Sequence, residues 1–357
     1  MIERSSKKES IFFMAVTIRD VANHANVSFQ LVSAVLGKKS YARASEAVKK
    51  RIFASAEALG YIPNASAGIL RGNASRIIGV MIDSHAPEDI KLLMAEIEHQ
   101  AALAGYHILA AQAHNSPDKL LQSYFRLKQN GVDGIISLAH DYPGAETQLG
   151  KLLKNDERII FLRNTSGIDC SVVDIDVAAG IRSALQHLRS EGYQNPGLLL
   201  MRGNDPVSDS IRKRISGFCE SQSEKNIFFI RCASEISDDL EVMEKEITYL
   251  IRSRFLPQEI DCLIVQNDYL AAICQNMLLK DGIRIPRDFG LVGCDDLLIS
   301  RCLPVKLTSL RYDRTAAAQK TLEILIGHIN GEKQKSSFFL SPELAVRESS
   351  SRRSHIN

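Results

Sequence analysis

The sequence predicts an α/β protein with a small three-helix head and a large core of two doubly wound subdomains. Helical patterns fill residues 17–61, whereas from residue 77 onward short apolar runs alternate with amphipathic helical stretches. Such alternation is typical of parallel sheets that are covered by helices on both faces. Nine or ten strands are many for one sheet, so we expect two subdomains, with a ligand crevice beyond the carboxyl ends of the strands.

Charge is divided unevenly along the chain. Residues 1–76 hold 12 Lys/Arg against 5 Asp/Glu, a net of +7, and the remainder holds 32 against 37, a net of −5, although the whole chain carries only +2. A basic head on an acidic body is typical of a nucleic-acid-binding module joined to a second function. The alternative is that a short terminal segment is basic by chance.

Capping residues mark the three helices of the head. A hydroxyl residue directly before a helical apolar pattern accepts a hydrogen bond from the free N–H groups of the first turn. The predicted N-caps are Thr17, Ser28 and Ser45, and Asp20 completes a capping box with the first of them. Gly37 is predicted to end the second helix.

The core is predicted from its alternating apolar runs and helical patterns. The candidate strands are Ile77–Ile82, His107–Ala111, Gly134–Leu138, Arg158–Leu162, Ser171–Ile175, Gly197–Met201, Ile227–Ile230, Asp261–Val265 and Gly290–Cys294. The candidate helices are Ile90–Ala104, Lys119–Asn130, Ala178–Glu191, Asp209–Gln222, Leu240–Ser253 and Leu270–Asp281.

Several classes of protein are excluded. No apolar run approaches the roughly 20 residues that span a bilayer, and the six apolar residues of Ile11–Val16 are too few for a signal peptide, so we expect a cytoplasmic protein with no membrane partner. The seven Cys include no C-x-x-C pair, which indicates neither a disulfide framework nor a metal site. Nucleotide-binding and nucleophile-elbow motifs are lacking, so we expect no enzyme, no catalytic residues and no cofactor.

The first two helices predict a helix-turn-helix that reads double-stranded DNA. In such a unit the second helix enters the major groove with its N-terminal residues on base edges. Val32, Val35 and Leu36 must face the small core, and this leaves an outward set that can read bases. The predicted base-reading residues are Ser28, Phe29, Gln30, Ser33 and Ala34. The alternative is a protein-binding module that presents Phe29 and Leu31.

The residues from Thr17 to Leu36 (TIRDVANHANVSFQLVSAVL), followed by LGYIPN at 59–64, resemble the head of the LacI/GalR (lac-repressor) family of bacterial transcriptional regulators. The resemblance implies that residues 64–76 form a hinge helix, with Leu70 in the minor groove and with Thr17 and Arg71 on the DNA backbone. The alternative is a flexible linker. Because the block usually lies near the initiator Met in this family, Met14 is an alternative start to Met1.

Core motifs at GVDGII (131–136), RISGF (214–218), QNDYLA (266–271) and GCDD (293–296) resemble the periplasmic-binding-protein-like core of the same family. The resemblance implies a small-molecule effector in the inter-subdomain cleft. The implied effector-binding residues are Ser84, His85, Arg214, Asn267 and Asp295. The alternatives are a surface charge for Arg214, a helix N-cap for Asp295 and an ordinary loop histidine for His85.

The absence of Trp weakens the expectation of a sugar effector. Relatives that bind sugars commonly place an aromatic residue soon after the first-strand loop, where this chain has Glu88, and another in the second subdomain. A sugar needs an apolar ring to stack on. Phe228 or Phe229 could substitute; otherwise the effector is a different polar metabolite, or the pocket has lost its ligand.

The expected domains follow from these patterns. They are a disordered tail (1–16), the DNA-binding head (17–63), the hinge (64–76), the core (77–345) and a second disordered tail (346–357). Within the core we expect one subdomain from 77–163 and 308–340 and another from 164–307. The expected function is that of a homodimeric repressor that binds a pseudo-palindromic operator under effector control; the alternative is a solute- or sugar-binding receptor.

Overall fold

The structure is a computed structural model that describes residues 16–37, 42–62, 74–83, 86–112, 117–138, 147–163, 168–202, 209–231 and 240–352. The chain divides into two compact units, Met1–Ser75 and Arg76–Asn357. The predicted N-terminal tail up to residue 15, most of the predicted hinge (residues 64–73, with Leu70 and Arg71) and the loop residues Ser84 and His85 lie outside the described residues.

The head consists of three helices around a small apolar core. All three predicted N-caps are confirmed: the Thr17 hydroxyl accepts a hydrogen bond from the Asp20 N–H at 3.4 Å, and the Asp20 carboxylate accepts one from the Thr17 N–H at 2.8 Å, which is a capping box. Ser28 and Ser45 accept from the third N–H of their helices. The helices are α1 (Ile18–Ala25), α2 (Phe29–Leu36) and α3 (Glu46–Ala58).

The first subdomain of the core contains a six-stranded parallel sheet in the order β11-β5-β4-β3-β1-β2. Its strands are nearly continuous apolar runs because both faces are covered by helices. The strands are β1 (Ile77–Ile82), β2 (His107–Gln112), β3 (Gly134–Leu138), β4 (Ile159–Leu162), β5 (Ser171–Ile175) and β11 (Ser337–Leu340). The helices are α4 (Glu88–Leu103), α5 (Pro117–Gln129), α6 (Gln148–Asn155) and α12 (Arg314–Ile329).

The second subdomain contains another six-stranded sheet, in the order β12-β10-β9-β8-β6-β7, in which β12 alone is antiparallel to its neighbour. The strands are β6 (Pro196–Arg202), β7 (Ile227–Arg231), β8 (Cys262–Val265), β9 (Gly290–Cys294), β10 (Thr308–Arg311) and β12 (Glu343–Ala345). The helices are α7 (Val177–Ser190), α8 (Asp209–Cys219), α9 (Leu240–Leu250), α10 (Asp268–Lys280) and α11 (Ile299–Cys302).

The predicted fold class is confirmed, but the expected subdomain boundaries at 163/164 and 307/308 are wrong. Strand β5 lies in the first sheet, between β4 and β11, and β10 lies in the second sheet beside β9. Which sheet a strand joins is decided by the partners that satisfy its backbone groups, and sequence order does not reveal these partners. The chain therefore crosses between the subdomains after β5, after β10 and after β11.

The expected disordered tail from residue 346 is also wrong for its described part. Ser349 is fully buried, where its hydroxyl donates to the Leu291 carbonyl at 2.6 Å and accepts from the Thr308 N–H at 2.8 Å. Ser350 is equally buried, and its hydroxyl lies 2.7 Å from that of Thr308. Polar composition predicted exposure, but these hydroxyls replace water with hydrogen bonds to β9 and β10. Residues 353–357 lie outside the described residues.

Candidate functional site

The N-terminal end of α2 carries the exposed set that the sequence predicted for base reading. Ser28, Phe29 and Gln30 are all exposed, and Phe29 leaves 46% of its surface in solvent although it is a large apolar residue. Ser33 is half-buried. The Ser28 hydroxyl accepts the Leu31 N–H at 3.3 Å, so one of its lone pairs caps the helix. Three of the five expected residues thus share one exposed helix end.

Ala34 does not face outward as expected. It is only 8% exposed, so its methyl group is largely covered by neighbouring side chains. The single methyl group of Ala is short enough to be enclosed by longer neighbouring side chains, and helical spacing alone did not reveal this. Thr17 is exposed, but its hydroxyl donates to the Asp20 carboxylate at 2.7 Å within the capping box.

A pocket open to solvent lies where the chain crosses between the two subdomains of the core. It touches all three crossovers, through Ile175 and Val177 around the first, Arg311 and Tyr312 at the second, and Pro342 at the third. The lining residues are Arg163, Ile175, Val177, Arg214, Cys294, Asp295, Leu310, Arg311, Tyr312 and Pro342. Two of the five expected effector residues, Arg214 and Asp295, are among them.

Arg214 on α8 is a buried guanidinium that contributes to this pocket. It is 6% exposed, and its Nη1 and Nη2 groups donate to the Ser210 hydroxyl at 2.5 Å and to the Gln266 carbonyl at 3.3 Å. Its Nε–H has no hydrogen-bond partner among the described residues. A surface charge is therefore the wrong alternative for this residue. A buried donor without a partner is costly, and a ligand can satisfy it.

Asp295 follows β9 and adopts a φ of 98°, a region that residues with a side chain rarely occupy. Its N–H donates to the Leu310 carbonyl at 2.7 Å and its own carbonyl accepts from Arg314 at 2.5 Å. It caps no described helix, so the alternative role is not realised. Burial, followed by the nearby carboxylate of Asp89, raises the pKa of Asp295 to about 6.

Asn267 does not line the pocket. Its side-chain oxygen accepts the Leu270 N–H at 2.8 Å and so caps α10. The neighbouring Asp268 is fully buried, where its two carboxylate oxygens accept from the Ser309 hydroxyl at 2.6 Å and from the Leu297 N–H at 2.7 Å. Asp268 thereby fixes the turn that carries Asp295.

Sequence reasoning missed a buried ionic cluster behind the pocket. Asp89, which is 2% exposed, pairs with Arg163 at 2.6 Å and with Arg314 at 2.9 Å. The Tyr312 hydroxyl donates to the same carboxylate at 3.1 Å. These residues come from separate parts of the chain, so no local spacing could have revealed them. The single Asp89 carboxylate is thus shared by two of the guanidinium groups near the pocket.

The aromatic residues differ from the expectation. Phe228 is buried against Phe255, with ring centroids 4.8 Å apart, and neither Phe228 nor Phe229 lines the pocket. The ring of Tyr312 lies at the pocket, but the guanidinium groups of Arg163 and Arg314 lie over it at 5.6 and 5.5 Å. Among the described lining residues, a sugar would therefore compete with two guanidinium groups for the Tyr312 ring.

Side chains bridge the two subdomains beside the pocket. Lys213 on α8 pairs at 2.6 Å with Asp174 on β5. The Tyr269 hydroxyl at the start of α10 donates to Glu88 at the start of α4, and this hydrogen bond raises the pKa of Tyr269 to about 12. These contacts join the two subdomains in the arrangement described here.

Two other classes of site are not seen in the described ranges. No helix there is long and apolar enough to span a membrane. Within the same ranges, no three His, Cys, Asp or Glu side chains lie together in a way that could hold a metal ion.

Comparison with protein-family models identifies both parts of the chain. Residues 17–64 match the bacterial regulatory proteins of the lacI family, and residues 185–350 match a periplasmic binding protein-like domain. The first match covers the three-helix head, and the second covers most of the second subdomain and the returns through β10, α12, β11 and β12.

Similar proteins extend over nearly the whole chain. The HTH-type transcriptional repressor PurR of Mannheimia succiniciproducens is 24% identical over 339 residues, which are 93% of this chain and 98% of that relative. The HTH-type transcriptional regulator GalR of Salmonella typhimurium is 26% identical over 313 residues, which are 87% and 88% of the two chains. A solved structure of the lac repressor dimer bound to operator and the anti-inducer ONPF superimposes with a TM-score of 0.79 at 24% identity, over 94% of this chain and 99% of that chain.

Proposed function

The chain belongs to the lacI family of bacterial regulatory proteins, and from this premise we propose that it is a transcriptional repressor whose affinity for operator DNA is controlled by a small molecule. The observation that carries the control step is the position of the pocket. It contacts all three segments through which the chain crosses between the subdomains. A ligand bound there contacts all three crossovers between the two subdomains of the core at once.

The head supplies the DNA contacts of this proposal. Gln30 at the exposed N-terminal end of α2 can bond adenine through two hydrogen bonds, and Phe29 can contact a thymine methyl. Ser28 and Ser33 complete the reading face, and Thr17 contacts the backbone. Leu70 and Arg71, which the resemblance places on the minor groove and the backbone, belong to the same proposal although they lie outside the described residues.

We expect two copies of the chain to bind one pseudo-palindromic operator, because a symmetric dimer presents two identical reading heads. The similar lac repressor structure contains a dimer bound to operator. An effector changes operator affinity only as far as it binds two arrangements of the subdomains unequally. The side chains that bridge the subdomains stabilise the described arrangement, so an effector that favours a different arrangement must break these contacts.

The expected effector contacts are Arg214 and Asp295 in the pocket, and Ser84 and His85 in the loop after β1. Asn267 contributes indirectly, because it caps the helix that carries Asp268. We assign no catalytic role to any of these groups. A solute-binding receptor is the second candidate, since the core alone would serve it, but such a protein has no use for a head with an exposed reading helix.

DNA binding is tested with duplexes selected from a random library on the full-length chain, measured by fluorescence anisotropy. Gln30→Ala removes two base-edge hydrogen bonds, so we expect specific binding to weaken by about 1–3 kcal/mol, while binding to unrelated duplexes changes little. Asn23→Ala, at an exposed position on α1, is the matched control. Equal loss for both variants, or failure to select any preferred sequence, contradicts the proposal.

Leu70→Ala and Asp295→Ala test the proposed minor-groove contact and the proposed effector contact separately. Leu70→Ala should weaken specific binding to the operator, because an apolar side chain that inserts between base steps acts only when the protein is docked on its site. Salt-dependent binding to unrelated DNA should be unchanged, since it depends on contacts with phosphates. The second should abolish the response to effector and leave operator binding intact. Loss of both kinds of binding in the first variant, or of operator binding in the second, contradicts the assigned role.

A further inference from the structure

The pocket at the crossovers contains one buried donor without a hydrogen-bond partner, the Nε–H of Arg214, and one carboxylate without an ion pair, that of Asp295, among the described residues. Arg214 has no carboxylate within 4 Å among the described residues, and its Nε–H is unpartnered there although the residue is 94% buried. The carboxylate of Asp295 likewise forms no ion pair and no side-chain hydrogen bond within the described part of the chain. The pocket can therefore bind a ligand that carries both an anionic acceptor and a donor.

The other two guanidinium groups that line the pocket already have carboxylate partners. Arg163 pairs with the buried Asp89, and Arg311 pairs with Glu343 at 3.2 Å. A buried guanidinium that is already held by a carboxylate has little free-energy gain left from a second anion, whereas an unpaired one gains a charge-assisted bond. Recognition of an anion thus falls to Arg214.

The remaining walls limit the body of the ligand. Ile175, Val177, Leu310 and Pro342 offer apolar surface. The ring of Tyr312 already contacts the guanidinium groups of Arg163 and Arg314, which compete with a sugar ring or a nucleobase for stacking on this aromatic residue of the described lining. These walls fit a short aliphatic chain.

We propose that the effector is a small aliphatic acid with a hydrogen-bond donor next to its carboxylate, an amino acid or a hydroxy acid. Its carboxylate bonds Arg214 through the Nε–H, and its ammonium or hydroxyl group donates to Asp295. The positive φ of Asp295 is consistent with a site, since strained backbone persists where the surroundings hold it in place for a ligand. The inference rests on the proposed function, because it names the ligand of that same pocket.

The test uses the full-length chain with three groups of probes, measured by isothermal titration calorimetry. The groups are the twenty amino acids, a set of 2-hydroxy acids that includes lactate and glycerate, and the neutral sugars ribose, galactose and glucose. We expect at least one acid to bind and the sugars not to bind. Arg214→Gln and Arg214→Lys should each weaken acid binding at least tenfold, since the amide of Gln is uncharged and the ammonium of Lys lacks the planar geometry of the guanidinium.

Two further measurements distinguish the two acids. Asp295→Asn should weaken an amino acid at least tenfold but a hydroxy acid only a few-fold, because an amide oxygen still accepts from a hydroxyl but does not neutralise an ammonium. An amino acid should also lose affinity as the pH falls below about 6, where Asp295 becomes protonated. Arg284→Gln, in an exposed pair with Asp288, controls for loss of charge alone and should leave binding unchanged.

The outcomes separate this inference from the proposed function. Binding of a neutral sugar instead of an acid, or no acid binding by a chain that still binds DNA sequence-specifically, overturns the inference. Acid binding by a chain without sequence-specific DNA binding overturns the proposed function and leaves the ligand assignment standing. If Arg214→Gln fails to fold, Arg214→Lys and Asp295→Asn still decide the matter.

Discussion

Replacement of Asp89 by Asn tests whether the buried ionic cluster holds the first subdomain together. The Asp89 carboxylate accepts bonds from Arg163, Arg314 and Tyr312 at 2.6–3.1 Å and is nearly excluded from water. In the variant one guanidinium faces an amide N–H₂ instead of an oxygen, and two buried positive charges lose their counter-charge. Breaking a buried ion pair on one side costs about 3–5 kcal/mol.

The pair between Arg284 and Asp288 is the matched control. Its two hydrogen bonds, at 2.6 and 2.9 Å, are as short as those of the cluster, but the side chains are 61% and 36% exposed. Solvent and salt screen such a pair, so Asp288→Asn should cost no more than about 1 kcal/mol. Because the bond lengths match, the difference between the two variants reports burial.

Urea denaturation followed by circular dichroism measures both effects, a sensible choice because the chain has no Trp. With an m-value of about 3 kcal/mol/M, the midpoint should fall by about 1–1.7 M for Asp89→Asn and by less than about 0.4 M for Asp288→Asn. The head is a separate unit, so the comparison uses the main transition at unchanged m. Equal shifts for the two variants would refute the reasoning.

Three further predictions concern packing, capping and pH. Gly217→Ala should destabilise the second subdomain by about 1–3 kcal/mol, because its new Cβ would lie 2.7 Å from the Ala178 carbonyl oxygen of α7. Ser216→Ala, at an exposed position on the same helix, is the control, and equal stability of the two variants would contradict the close contact. Ser45→Ala should lower head stability by about 1 kcal/mol through loss of the bond to the Val48 N–H, seen as a lower melting temperature of the head by NMR; an unchanged temperature would show that the cap contributes nothing. Burial raises the pKa of Asp268 to about 7 from an ordinary 3.8, so the contribution of Asp268 to folding stability is fully present below pH 3.8 and declines as the pH rises toward 7. The stability difference between the parent and Asp268→Asn in thermal melts should therefore change over this pH range. A constant difference would contradict the prediction.

The features that the sequence predicted correctly are those that depend on residues close together in the chain. The helix caps at Thr17, Ser28 and Ser45 depend on contacts three residues apart, and the apolar runs of nine strands depend on burial of consecutive residues, so both were visible in the sequence. The short strands β10, β11 and β12 carry mixed polar and exposed residues and were missed. Their place is set by pairing with strands that lie far away along the chain.

Only part of the candidate site could be predicted, because its residues are local in the sequence but their partners are distant. Arg214 and Asp295 stand at the strand–helix junctions where an α/β fold binds ligands, so a resemblance could place them. The partners that determine their chemistry could not be placed, because Asp89 and Arg314 are 225 residues apart. In the head, helical spacing predicted that Ala34 faces outward, but it could not show that neighbouring side chains cover this short residue.

A continuous chain of contacts joins the ionic cluster to the pocket. Asp89 holds Arg314, and Arg314 in turn donates to the backbone carbonyl of Asp295, across the boundary between the subdomains. A ligand that draws the Asp295 carboxylate toward itself therefore acts on a group anchored in the opposite subdomain. Since Asp89 itself does not line the pocket, a change in the effector response of Asp89→Asn at intact operator binding would come from this chain of contacts. The buried cluster therefore gives Arg163 and Arg314 a shared carboxylate partner, and through Arg314 it connects the first subdomain to Asp295 at the pocket.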